Sequence, residues 1–485
     1  LITVLAPQRL FSVLRLRTLL EDSTLSTPVT TQAAKLRRNL GLWHVIIIGL
    51  AYIQPMTLLD TFGMVSRDSG GHVPMSYLFA LFAILLTSIS YGHMIRAYPS
   101  SGSAYTYTQK SINPSMGFMV GWSSWLDYLL SPMVNIILAV LYLEALFPMV
   151  NHWVWVIGLT GLMTVVNIFG SKTVAYFNSW IVAVQLLVIA VFTYLIYSKL
   201  QMAQYATNTN PEDIYELWSL KPFWSEMTSV GALITGATIL CFSFTGFDSI
   251  SSLAEETKDV KNTLPKAMIL TTLIAGAVFV VSAYFMQTYL PSDPKLYFEA
   301  VDETQAEILL LVGGSAFQSI VLGFAIVTVM ASGISAHAGV SRLMYVMGRD
   351  GVISKKVFGQ LSPKFLTPVN NILIAGGVAL TAGFIKLETV VNLISFGALT
   401  AFSFVNLSVI FRYALRDKMV KTPKQIISYV VVPVIGFISI FLMWLEVDGI
   451  TFAVGLFWAL LGFIWLGIKT SGFKKPMPQY KEEDV

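Results

Sequence analysis

The chain carries twelve runs of mostly apolar residues, most near the length of about 20 that an α-helix needs to cross a bilayer. They lie at 43–66, 74–95, 116–147, 153–170, 174–198, 229–253, 266–290, 308–340, 369–386, 389–411, 426–445 and 450–468. Lipid offers no hydrogen bonds to the backbone, so each run must satisfy its own N–H and C=O groups as a helix. An all-α membrane protein of twelve transmembrane helices is therefore predicted. Only 12% of the 485 residues are charged, about half the share of a soluble domain. The longest connection, 199–228, is too short for a separate soluble domain and reads as an exposed polar loop.

Basic residues give the orientation. Of 31 Lys and Arg, only Arg67, Lys199, Lys221, Lys295 and Lys386 fall on odd-numbered connections. The positive-inside rule then puts both termini in the cytoplasm of a cell whose inner membrane holds the chain. The odd-numbered connections collect acids instead, among them Glu212, Asp213, Asp293, Glu299 and Glu307. Residues 1–34 combine a Leu/Arg stretch (10–20) with a Ser/Thr-rich linker and lack the apolar core of a signal peptide. They are expected to form a disordered or surface-lying part of a cytoplasmic tail over 1–38. The sole cysteine, Cys241, excludes an intrachain disulfide framework and a cysteine-based metal site. The sequence offers no nucleophile–base pair, cofactor motif, metal cluster or nucleic-acid-binding surface, so no enzyme is expected.

Three carboxylates sit more than four residues inside the ends of the apolar runs: Asp60, Asp127 and Asp248. Each costs about 2.5–3.5 kcal/mol at the bilayer centre even on the lenient insertion scale, which marks them as functional. Acids in that position most simply bind cations or carry protons. Two runs are also interrupted. The first contains Tyr52-Ile53-Gln54-Pro55-Met56-Thr57, where Pro55 lacks an N–H and breaks the helix. The sixth contains Phe242-Ser243-Phe244-Thr245-Gly246-Phe247-Asp248, whose Gly and hydroxyl residues permit unwinding. If runs 1–5 and 6–10 are two repeats, the interruptions correspond, and paired interruptions point to a transporter's binding site.

Several strings are similar to signatures of the amino acid–polyamine–organocation (APC) transporter superfamily. They are Tyr98-Pro99-Ser100-Ser101-Gly102-Ser103-Ala104-Tyr105-Thr106-Tyr107, Gly246-Phe247-Asp248 with Glu255-Glu256 and Pro265-Lys266-Ala267, and Ser341-Arg342 with Arg349-Asp350-Gly351. Gly71-His72-Val73-Pro74, Gln109 to Pro114, Gly117 to Ser124 and Tyr345 to Asp350 further resemble the putrescine importers of enteric bacteria. The resemblance implies a 5+5 inverted repeat with two additional C-terminal helices. It assigns 39–200 to the first repeat, 201–415 to the second, 416–470 to the last two helices and 471–485 to a cytoplasmic tail. It implies a secondary transporter importing putrescine or a similar small polyamine by alternating access; a proton is the expected coupling ion, although the lysine-based coupling of some relatives does not carry over to this chain. The alternative is an amino acid or biogenic amine transporter or exchanger on the same fold.

Most amino-acid carriers of this superfamily have a Gly-x-Gly turn in the broken first helix, whose free N–H groups capture the substrate carboxylate. Here Pro55-Met56-Thr57 stands instead, which impairs an anion cradle. A cargo with amines at both ends and no carboxylate fits better. Asp127, about 16 Å into its helix, is expected to be the principal ammonium partner, with Asp60 serving the outer and Asp248 the inner half of one path. Tyr52, Gln54, Met56, Thr57, Tyr128, Phe242, Ser243, Phe244, Thr245 and Gly246 complete the predicted substrate site, aromatic faces adding cation–π attraction. Phe242 resembles the sixth-helix aromatic that closes over substrate. Candidates for ion coupling are His337, Gln185, Ser332 and Ser335; some relatives place a lysine where Gln185 stands. Glu255, Glu256, Arg342 and Arg349 are candidates for a cytoplasmic gate. Trp122 and Trp125 are expected to be interfacial anchors.

Overall fold

The computed structural model describes residues 40–99, 103–169, 174–205, 217–226, 228–290, 304–349, 351–472 and 474. Residues 1–39 and 475–485, with the expected disorder of 1–34, lie outside them, as do 206–216 and 227 of loop 199–228 and Ser100, Ser101, Gly102 and Asp350 of the quoted motifs. The described residues are all-helical apart from one isolated bridge, Leu40 with Thr257.

In chain order the main helices are α1 (Leu42–Ile53), α2 (Thr57–Asp68), α3 (Val73–Ala97), α4 (Ser103–Ser111), α5 (Pro114–Leu146), α6 (His152–Phe169) and α7 (Val174–Tyr205). There follow α8 (Val230–Phe244), α9 (Val260–Tyr289), α10 (Gln305–Arg349), α11 (Val369–Ala379), α12 (Leu387–Val409), α13 (Val432–Leu445) and α14 (Gly449–Lys469). Among the described residues ten segments are long and apolar enough to cross a bilayer, or eleven if α1 and α2 count as one bent span. The chain is a multi-pass membrane protein.

The expected spans overlap these helices, and two of them differ in kind. Run 308–340 belongs to a helix interrupted at Gly314, whose φ of 75° and ψ of 177° leave helical space; an L-residue would avoid that conformation. Run 369–386 gives only α11 and a 3-10 turn at Leu380–Gly383, short of the length needed to span. There the chain carries Gly376, Gly377 and Gly383, and Gly383 lies against the Trp153 ring, where an added Cβ would meet Cη2 at 2.5 Å.

Packing between helices in lipid depends on close fit rather than on expulsion of water. α5 packs against α10 and α12, and α3 against α9 and α8. The span Leu387–Arg416 is buried over 78% of its apolar window, against 22% for each of the last two spans. α12 therefore lies inside the bundle, and α13 and α14 lie at its edge. α5 begins well capped: the Asn113 carboxamide oxygen accepts from Met116 N–H at 2.8 Å, with proline at the first helical position.

Trp122 and Trp125 are buried rather than interfacial. Trp122 and Trp458 stack with centroids 5.1 Å apart, and each indole N–H donates to the other residue's carbonyl at 2.9 Å. These contacts lock α14 onto α5. Composition suggested anchors because an indole gives the same signal at an interface and in a helix seam.

Candidate functional site

Both predicted interruptions are real, and they touch. α1 ends at Ile53, and Gln54 adopts the left-handed conformation (φ 51°, ψ 82°). The helix resumes at Thr57 with a 49° bend between the two halves. Pro55 explains the break, since it cannot donate to the turn before it. The Gln54 side-chain amide reaches across and donates to the Ser332 hydroxyl on α10. Met56 and Thr57 are buried at the bend.

The sixth run unwinds over Thr245–Phe247, where the Thr245 hydroxyl returns to the Phe242 carbonyl at 2.7 Å. Gly246 has φ +104°, and a Cβ there would stand 2.8 Å from the Tyr52 backbone. Glycine is thus required twice, for its conformation and for the close approach. The chain continues as a 3-10 helix, Asp248–Glu255, and the Asp248 carboxylate accepts from Gly246 N–H at 3.3 Å. A second clasp joins the same two segments, with Leu40 N–H donating to Glu256 O at 3.0 Å and Lys258 N–H to Leu40 O at 2.9 Å.

Asp127 lies on α5 at the level of Gly397 of α12; a Cβ on Gly397 would come 3.1 Å from the Asp127 Cβ. One turn further on, Pro132 interrupts the helix ladder. Ser131 Oγ donates to the Asp127 carbonyl at 2.9 Å and, more weakly, to its carboxylate at 3.4 Å. Asp127 and Asp248 stand within Coulombic reach of each other, and Tyr128 within reach of both and of Tyr52. Both acids keep partial accessibility and Tyr52 is 39% exposed. Among the described residues, no Lys, Arg or His pairs with either acid.

Asp60 lies elsewhere. It is buried in the first turn of α2, and Tyr142 near the end of α5 donates its hydroxyl to Asp60 Oδ1 at 2.6 Å. The two lie on a cavity of about 320 Å³ with Glu144, Gln305, Glu307 and Gln318, whose lining includes neither Asp127 nor Asp248. Fifteen residues of α5 separate Asp127 from Tyr142, roughly 22 Å of helix. Nothing in the sequence pairs Asp60 with Tyr142, because the contact depends on how α2 leans against α5. Arg67, at the end of α2, has partners that its place on an odd-numbered connection does not reveal. It bridges Asp68 at 2.6 Å and Glu388, in the first turn of α12, at 2.6 Å.

The remaining candidates divide by environment. Phe244 is fully buried against Tyr77 and Phe279, and Phe247 against Tyr91 and Phe402; these rings build the core. Ser243 is buried within 3.4 Å of the Tyr77 hydroxyl. Phe242 is nearly buried, at 9% exposed. His337 is buried, with Nε2 2.8 Å from the Ile372 carbonyl. Gln185 is buried with neither amide atom partnered, and Ser335 bonds back to Ala331 O at 2.9 Å. Arg342 is exposed, Glu256 half-buried, and no ion pair joins them among the described residues. Arg349 closes α10, and the side chain of Glu255 lies outside the described residues.

Residues 44–473 match the family described as amino acid permease. The chain is 49% identical over 456 residues to the low-affinity putrescine importer PlaP of Escherichia coli K12, covering 94% of this chain and 98% of that protein. At 24% identity it also resembles two Bacillus subtilis proteins, the branched-chain amino acid permease BcaP (90% of this chain, 93% of that one) and the methylthioribose transporter (89% and 93%).

Proposed function

This chain belongs to the amino acid permease family, and on that premise we propose that it imports putrescine, or a similar small polyamine, by alternating access. One observation carries the choice of cargo within the family: Asp127 and Asp248 are both acids within apolar spans, with no basic partner among the described residues. An unpaired interior carboxylate is costly unless something cationic binds there. Likeness to the putrescine importer at 49% identity supports the same reading, whereas the relatives at 24% are named for cargoes as different as amino acids and methylthioribose.

In this reading Asp127 holds one ammonium, and Tyr128 and Tyr52 offer aromatic faces beside it. Asp248 turns its carboxylate toward the broken backbone and adds negative potential to the same site. The bend at Gln54–Met56 presents no Gly-x-Gly turn to a substrate carboxylate, so amino acids lose their usual anchor. Gln54 with Ser332, and Gly246 against Tyr52, couple the broken segments so that they move together. Phe242 closes the site from outside.

We further infer a twelve-span arrangement in which 369–383 is the short ninth span, with a 5+5 inverted repeat over 39–415. Both termini are placed in the cytoplasm on the distribution of Lys and Arg. The cargo gains about 4.6 kcal/mol as a dication entering at 100 mV, negative inside. A proton would add to that as coupling ion. Uptake into proteoliposomes tests the assignment. Labelled putrescine should accumulate saturably and resist competition by ornithine and arginine. Saturable ornithine uptake that putrescine fails to inhibit would overturn it.

A further inference from the structure

The outer cavity at Asp60 has the make-up of a site in its own right. Three carboxylates line it, from Asp60, Glu144 and Glu307, and among the described residues no Lys or Arg does. Tyr142 commits its hydroxyl to Asp60, and Glu144 lies 2.8 Å from His152 Nδ1. Gln305 provides an independent sign. It is 3% exposed, lines the same cavity, and uses neither its amide oxygen nor its NH₂. A buried amide with both ends idle needs a hydrogen-bonding partner, and Gln305, unlike Gln185, faces a cavity that has room for one. Its oxygen suits an ammonium donor, as does the Asp60 carboxylate. At about 320 Å³ the cavity sits at the small end of the ~300–1,000 Å³ range of small-molecule sites.

The separation from the central acids decides what such a site can be. An extended four-carbon diamine spans roughly 6 Å between nitrogens, from five bonds near 1.5 Å. The Tyr142 and Asp127 levels differ by roughly 22 Å along α5. Even with Tyr142 leaning back by its own length, one molecule cannot touch both acids. We propose that the outer cavity around Asp60 is a second station for a small organic ammonium, separate from the Asp127–Asp248 pair and occupied before it during import. This rests on the amine-importer reading and adds a second binding event to it.

Equilibrium dialysis of labelled putrescine with the full-length protein in lipid nanodiscs tests it. The wild type should bind two equivalents. Asp127→Asn should keep one, and adding Asp60→Asn should remove that one. Tyr142→Phe and Gln305→Leu, which leave every carboxylate in place, should each weaken the outer equivalent by about tenfold, with the gel-filtration profile reporting the fold. A single equivalent in the wild type, unchanged by Asp60→Asn, Tyr142→Phe and Gln305→Leu, would overturn the second station and leave the importer reading intact. No putrescine bound to the wild type would overturn both.

Discussion

Replacing Asp127 by Asn separates a binding acid from a structural one, because the two roles give opposite thermal results. The carboxylate has one weak side-chain partner, Ser131 Oγ at 3.4 Å, and no ion pair among the described residues. Neutralising an unpaired interior charge should leave the ligand-free protein as stable as before, or more so. With putrescine present the order reverses. Removing one partner of a buried charge pair costs about 2–5 kcal/mol of binding, or roughly 30- to 4,000-fold in Kd at tenfold per 1.4 kcal/mol. At a putrescine concentration 100 times the wild-type Kd, the wild type should gain about 2.7 kcal/mol of apparent stability. A variant weakened 100-fold would gain only about 0.4 kcal/mol under the same linkage. The assay is thermal unfolding in detergent with and without putrescine, alongside uptake in proteoliposomes. A ligand-free loss of stability, with the putrescine gain and the KM preserved, would make Asp127 a structural acid and refute the reasoning.

Gly246→Ala should damage folding or trap one conformation, because it forces φ +104° on an L-residue and sets a Cβ 2.8 Å from the Tyr52 backbone. The penalty is about 1–3 kcal/mol or more, measured as lost membrane yield or uptake. Glu388→Gln should loosen the Arg67 link between α2 and α12. In a Cys241→Ser background, a cysteine at Gln318 on the outer cavity should then react faster with a membrane-impermeant thiol reagent. Unchanged labelling would remove Arg67 and Glu388 from any outer closure. Trp458→Ala should cost about 1–3 kcal/mol by stripping the stack and paired hydrogen bonds with Trp122, lowering the unfolding temperature while leaving the putrescine KM unchanged.

Most of the spans were legible because an apolar run of about 20 residues satisfies its backbone in lipid as a helix, although run 369–386 gives a helix too short to span. Pro55 and Gly246 announced the breaks through chemistry that acts on the nearest turn. The site was legible only in part. Asp127 and Asp248 stood out as acids in apolar runs, yet no sequence signal says that Asp60 faces Tyr142 and not them. Phe244 and Phe247 lie in the unwound motif but point into the core against Tyr77, Phe279, Tyr91 and Phe402. An aromatic beside a break reads the same whether it meets a ligand or a neighbouring helix. Gln305 and Glu388 carried no signal, since their partners arrive from segments far along the chain.

Transport of labelled putrescine into vesicles of purified protein, under an imposed voltage negative inside and with the pH gradient set independently, tests the central claim most directly. The account expects saturable accumulation that rises with voltage and is lost in Asp127→Asn. Uptake indifferent to voltage and intact in that variant would contradict it.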